Sequence, residues 1–130
     1  MEADGVVAVL SGLAQHTRLA IYRLLVRAGE RGRAAGQIGT ALALPPATLS
    51  FHLKELAATG LIRAEGFGRY VIYSADPGQM TALMLFLIRE GCRRLDREQL
   101  DELRAALATL PAGRTRRGAA KKRRAKSRPA

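Results

Sequence analysis

Thr48, Ser50, Phe51 and Lys54 place two hydroxyls, an aromatic ring and a cation in one short stretch, and that mixture suits a DNA surface. Hydroxyls hydrogen-bond base edges or phosphate oxygens, an apolar group touches a thymine methyl, and a lysine takes a phosphate. A merely solvated helix face carries a mixture of Glu and Lys instead. Leu49, Leu53 and Leu56 recur at i, i+4 and i+7 in the same stretch, so they turn inward while the polar set turns outward. His52 adjoins Leu53 and admits two readings: a contact to phosphate, base or the neighbouring helix, or a satisfied half-buried imidazole. Arg69, beside Phe67 in a glycine-containing loop, can lay a guanidinium on phosphate or in a minor groove, or serve as an exposed arginine on a solubilising turn.

These residues need elements to hold them. Residues 44–60 read as a helix, since Pro45 and Pro46 suit a turn followed by the first helical turn, where a missing N–H costs little. Gly60 supplies the stop. Residues 33–42 make a second short helix with Ile38 and Leu42 on one face, and only Ala43 and Leu44 separate it from the double proline. Two short helices joined by a tight turn form a helix-turn-helix, although two core helices without a DNA role share the pattern. The β-rich runs 61–65 and 70–74 flank Gly66-Phe67-Gly68-Arg69, a loop of hairpin length whose two glycines can take positive φ. A helix-turn-helix followed at once by a hairpin is a winged helix, so the expected fold is mainly α with a small β-hairpin.

The 130 residues allow one domain, expected over 1–110, and an extension over 111–130. Formal charge is +11, but residues 112–130 hold nine cations (Arg114, Arg116, Arg117, Lys121, Lys122, Arg123, Arg124, Lys126, Arg128) and no acid, which leaves +2 for the rest. The basicity therefore describes the tail rather than the folded part. With almost no bulky apolar residue, the tail is expected to be disordered and to add non-specific, salt-sensitive affinity for DNA. An RNA or anionic-lipid contact and a solubilising end are the other readings. No stretch approaches a membrane span, the N-terminus lacks a signal-peptide layout, and the single cysteine excludes an intrachain disulfide. No membrane partner is expected, and the expected location is the bacterial cytoplasm, in association with the nucleoid.

Residues 6–13 form a short hydrophobic helix, and from about Thr17 to Gly29 runs a helix apolar over more than one face, which suits the centre of the domain. His16, just before it, and Thr17 and Thr48 read as caps or N-terminal helix polar groups. Beyond the wing, Asp76 and Pro77 open a helix with Met80, Leu83, Met84, Leu87, Ile88, Cys92 and Leu95 in one stripe. A further apolar helix outside a winged-helix core is best buried against its own copy, which predicts a homodimer through the N-terminal and post-wing helices, bound to double-stranded operator DNA. Asp96 with Gln99 looks like a capping box that opens a separate last helix bearing Leu100, Leu103, Leu107 and Leu110; one continuous helix over 78–110 is the alternative.

Three segments together resemble the ArsR/SmtB family of bacterial winged-helix repressors, over about residues 6–95: Leu13-Ala14-Gln15-His16-Thr17-Arg18-Leu19-Ala20-Ile21-Tyr22-Arg23-Leu24-Leu25, then Pro45-Pro46-Ala47-Thr48-Leu49-Ser50-Phe51-His52-Leu53-Lys54-Glu55-Leu56, and Tyr73-Ser74-Ala75-Asp76. The resemblance implies a homodimeric repressor that sits on an operator near its own gene and leaves when an effector binds. Relatives with a cysteine pair at the first helix of the helix-turn-helix find Ala34 and Gly36 here, and the post-wing helix has no histidine, so zinc or cadmium sensing of those designs is not implied and no metal site is expected. An arsenite-responsive subgroup ends its dimer helix with adjacent cysteines, where this chain has Gly91 and Cys92. Arsenite would then need Cys92 from both subunits. Arg93 and Arg94 suit an oxidant or electrophile sensor instead, and the spacing from Ile88 suits a small core hydrophobe. No cofactor is expected beyond such a thiol-binding effector.

An enzyme is not expected, since no phosphate-cradling loop, carboxylate cluster with a histidine partner, or nucleophile–base set can be placed. Two rivals to the repressor are an architectural DNA-binding protein driven by the basic tail, and an interaction module that keeps the fold without DNA binding.

Overall fold

A computed structural model describes residues 1–111 and 113 and divides the chain into two units, Met1–Arg93 and Arg94–Ala130. The division falls earlier than the compositional boundary at residue 110, because the last helix opens with its own capping box and buries none of its residues. The expected basic tail falls on residues 112 and 114–130, which lie outside the described residues.

In the first unit, α1 (Ala3–Leu13) turns Val6 and Val9 inward and ends against α2 (His16–Ala28). Gln15, rather than His16 or Thr17, caps α2, its Oε1 accepting the Arg18 N–H at 2.8 Å. Ile21 and Leu25 on α2 are fully buried, and α2 packs on α1, on both helices that follow and on the sheet, so it is the central helix the sequence predicts.

The stretch 33–42 is not all helix. Arg33–Ala34 form a short strand, β1, paired antiparallel with Tyr73 and Ile72, and the helix α3 (Ala35–Leu42) begins after it. Gly32 makes this possible: its φ is +62°, and a Cβ there would run into the Tyr73 carbonyl. The Ala34 N–H then donates to Gln37 Oε1 at 2.9 Å, which fixes the start of α3. The sheet consequently has three strands in the order β1-β3-β2 rather than a hairpin alone.

In the hairpin, β2 (Ile62–Phe67) and β3 (Tyr70–Ala75) set Phe67 opposite Tyr70, so the turn is Gly68-Arg69 only. Gly68 takes φ +61° while Gly66 lies inside the strand without positive φ. Positive φ at the first central position alone matches a type II′ hairpin turn. The stretch with the double proline forms α4 (Pro46–Ala58), with Leu49, Leu53 and Leu56 buried as expected among Ile21, Ile38 and Leu61. After the wing comes α5 (Pro77–Gly91), whose N-cap Asp76 accepts the Gly78 N–H at 2.8 Å.

The second unit holds α6 (Arg97–Ala108), a separate helix rather than a continuation of α5. Its capping box is reciprocal: the Gln99 N–H donates to Asp96 Oδ1 at 2.8 Å, and the Asp96 N–H donates to Gln99 Oε1 at 3.1 Å. No helix among the described residues is long and apolar enough to cross a membrane.

Two features of the packing generate predictions. A Cβ on Gly12 would lie 2.6 Å from Thr59 Cγ2, and Thr59 cannot rotate freely because its Oγ1 donates to the Leu56 carbonyl at 2.6 Å. Gly12→Ala, a change that raises intrinsic helix propensity, should therefore lower stability by about 1–3 kcal/mol in urea unfolding. Tyr22 is 7% exposed, and its pKa is raised above 10.0 by burial and, secondarily, by the Asp76 carboxylate. The folded state favours the neutral phenol, so this contribution is complete below the unfolded pKa and is lost as pH rises through the folded one. Tyr22→Phe should flatten the fall of the urea midpoint between about pH 9 and 11 while changing it little at neutral pH.

Candidate nucleic-acid interface

The rotational setting of α4 decides what the helix shows to solvent. Leu49, Leu53 and Leu56 occupy the inward stripe, and Thr48, Ser50, Phe51 and Lys54 are all exposed, Phe51 at 57%. His52 departs from the exposed set. It is 8% exposed, because position 52 completes the i, i+3, i+4, i+7 stripe with the three leucines. Its ring meets the Phe51 ring edge-on, with centroids 5.3 Å apart.

The partner of His52 is Arg18, whose role nothing in the local pattern announces. Arg18 Nη1 lies 3.2 Å from His52 Nδ1, and Arg18 Nε donates to the Gly12 carbonyl at 2.7 Å. A guanidinium only donates, so Nδ1 must accept and a neutral ring carries its proton on Nε2. One side chain from the first turn of α2 thereby ties the end of α1 to the middle of α4. Arg18 lies within residues 13–25, but the sequence offers no signal linking it to a histidine thirty-four residues away.

The turn between α3 and α4 is tight. Ala43 adopts a left-handed conformation (φ 53°, ψ 47°), and the Leu44 N–H donates to the Gly39 carbonyl at 2.9 Å. Left-handed backbone costs a non-glycine residue roughly 1 kcal/mol, offset here by the satisfied end of α3. At the other end of α4, Gln79 Nε2 donates to the Thr59 carbonyl at 2.7 Å, and the Leu61 N–H donates to Thr59 Oγ1 at 3.2 Å. These bonds join the end of α4 to both the wing and α5.

At the wing tip, Arg69 is exposed together with Phe67 and Tyr70. Arg63, lower on β2, sits 3.6 Å from the Asp76 carboxylate in a pair too exposed to contribute more than a few tenths of a kcal/mol. The structure brings Thr48, Ser50, Phe51 and Lys54 onto one face of α4 and leaves Arg69 on a separate projection. Cys92 lies apart from them, half-buried at the C-terminal end of α5, where its N–H donates to the Ile88 carbonyl at 3.0 Å. Among the described residues no group of three or more His, Cys, Asp or Glu side chains could hold a metal ion.

A family model described as a helix-turn-helix domain matches residues 13–65, the span from the end of α1 into β2. Among solved structures, an ArsR-like transcriptional regulator from Rhodococcus sp. RHA1 aligns with TM-score 0.62 at 25% identity, over 80% of this chain and 90% of that one. HlyU from Vibrio cholerae aligns with TM-score 0.55 at 26% identity, over 72% of this chain and 100% of that one. A Mycobacterium bovis structure, described as the homodimeric winged helix-turn-helix DNA-binding domain of a possible ArsR-family transcriptional regulator, aligns with TM-score 0.55 at 29% identity, over 65% of this chain and 77% of that one. Curated proteins give no significant match.

Helix order, turn and hairpin define a winged helix-turn-helix protein. In fold and in sequence the chain is similar to DNA-binding transcriptional regulators of the ArsR type.

The Arg18 bridge yields a prediction. Arg18→Ala should leave His52 Nδ1 and the Gly12 carbonyl without a partner and cost about 1–3 kcal/mol in urea unfolding. Arg18→Lys, which lacks the fork needed to reach both acceptors, should fall between that variant and the natural chain.

Proposed function

We propose that the chain acts as a homodimeric, sequence-specific repressor that works by binding operator DNA and not as an enzyme. The observation that carries this reading is the exposed face of α4. Thr48, Ser50, Phe51 and Lys54 lie on the exposed side of a helix whose other side is locked in the core, and Arg69 is exposed at the tip of the wing. In this reading α4 lies in the major groove, where Ser50 and Thr48 contact base edges, Phe51 lies against thymine methyls and Lys54 takes a phosphate. Arg69 holds the wing to the backbone. His52 supports α4 from within.

The dimer is supported by apolar surface. Val7 on α1 is 61% exposed, and Leu10 on α1 and Met84, Leu85 and Leu87 on α5 are exposed with it. The two helices pack on one another within the first unit, so a second copy could cover both at once. Two copies would set paired recognition helices on a roughly palindromic site about one DNA turn apart.

Fluorescence anisotropy on DNA from upstream of the chain's own gene, against scrambled DNA of equal length, tests the reading. Selective binding is expected at physiological salt. Ser50→Ala should relax preference between bases by about 1–3 kcal/mol at the contacted position. Arg69→Ala should weaken binding to every sequence about equally and lower the salt slope by about one. Equal affinity for both DNAs would overturn the repressor in favour of an architectural role, and an unchanged base preference in Ser50→Ala would overturn the assignment of this face.

A further inference from the structure

A groove of about 450 Å³ opens between α2, β1 and α3, within the size range of small-molecule sites. Leu24, Ala28 and Leu42 are among the apolar residues that line it. Around them stand Arg23 and Arg27, one turn apart on α2, and Arg33 on β1, with Gln37 on α3.

The polar lining has a single character. Among the described residues none of the three arginines forms an ion pair with a carboxylate. Arg33 Nη1 donates to the Gly32 carbonyl at 2.6 Å, which anchors the guanidinium and leaves its other N–H groups free to turn to a ligand. Gln37 Oε1 is turned to the Ala34 N–H, and its amide nitrogen adds two further donors to the lining. Every polar side chain in the lining therefore offers donors, and no carboxylate joins them. Three like charges around one depression repel each other until an anion arrives, and guanidinium pairs match a carboxylate with two parallel hydrogen bonds. The apolar floor requires more than a bare inorganic ion to fill it. Residues of α4 and the wing contribute nothing to the lining, so the groove does not belong to the proposed DNA face.

We propose that this groove binds a medium-sized organic carboxylate, its apolar body on the α2–α3 floor and its carboxylate held by Arg23, Arg27 and Arg33, and that it is the effector site of the regulator. The effector role rests on the repressor reading, whereas the binding site does not. The physical link is α3. A ligand that bridges α2 and α3 biases the position of α3, and the tight turn at Ala43 passes that bias to α4.

Calorimetric titration of the full chain with 4-phenylbutyrate, without DNA, tests the site. One molecule per chain is expected to bind, with 4-phenylbutanol and acetate each at least about tenfold weaker, because one lacks the charge and the other the apolar body. Arg23→Gln/Arg27→Gln should lose about tenfold or more in affinity for the acid, and its circular dichroism and melting temperature, read in parallel, should stay close to those of the natural chain, since both residues are exposed. No binding, equal binding of acid and alcohol, or undiminished binding by a folded double variant would overturn the site. Anisotropy on the upstream DNA with 4-phenylbutyrate at saturation should show a change in affinity of about fivefold or more. Unchanged affinity would overturn the effector role, and a protein that ignores upstream DNA fails as a repressor while the calorimetric result stands.

Discussion

Burial of Leu49, Leu53 and Leu56 fixes how α4 is turned about its own axis, and the outward face follows from that setting. Successive residues on a helix are about 100° apart, so rolling α4 by one position would bring those three leucines toward solvent and drive Ser50, Lys54 and Ala57 toward the core. Each buried leucine contributes roughly 1.5–3 kcal/mol, so the roll would cost a large share of a typical domain's stability. His52 sharpens the restraint. An imidazole at 8% exposure needs a partner, and the partner it has, Arg18, is also held by the Gly12 carbonyl. The set of groups that α4 presents to solvent is thus determined by what the core accepts.

The ends of α4 are tied as firmly as its middle. Gly12 brings α1 so close to the C-cap residue Thr59 that no methyl fits between them, and Gln79 from α5 donates to the carbonyl of that same residue. Thr59 is therefore a junction where α1, α4 and α5 meet. The two helices that carry the unpartnered apolar surface, α1 and α5, are the ones attached to it. In the proposed dimer, the spacing of the two recognition helices is then set through short, directional contacts rather than through a flexible connection. A sensor that must place two helices on successive turns of DNA needs this stiffness, since an error of a few ångströms at the interface would carry over to the groove.

Local signals made most elements legible in the sequence. The leucine spacing and the double proline mark α4, and Asp96 with Gln99 marks the start of α6, because caps and helical periods act within one or two turns. Features that depend on distant partners were not legible. Arg33–Ala34 is too short to carry a period, and its strand character comes from Ile72 and Tyr73, to which Gly32 gives access. Two glycines in the wing offered two places for the turn, and only the pairing of Phe67 with Tyr70 selects Gly68. His52 had a usable signal, its place three residues after Leu49, but its chemistry suited a DNA contact equally well. The exposed groups of the candidate site were read from residue type, and the residue that braces them, Arg18, could be found only in three dimensions.

Charge is distributed unevenly between reading DNA and holding it. On the exposed side of α4 the cation Lys54 is followed by the acid Glu55, and on the wing Arg63 and Arg69 are accompanied by Glu65, with Arg63 facing Asp76. Such a surface releases few counterions on binding, so its contribution to overall affinity is small compared with its capacity to discriminate between bases. Three of the body's cations, Arg23, Arg27 and Arg33, lie around the groove, to which α4 contributes no lining residue, while residues 112–130 carry nine without an acid. In the proposed complex, discrimination then belongs to α4, and doubled contacts in the dimer add to the salt-dependent affinity. The two quantities are separable for a physical reason: hydrogen bonds to base edges are short-ranged and directional, whereas attraction between a cation-rich chain and phosphates depends on little more than charge density and salt.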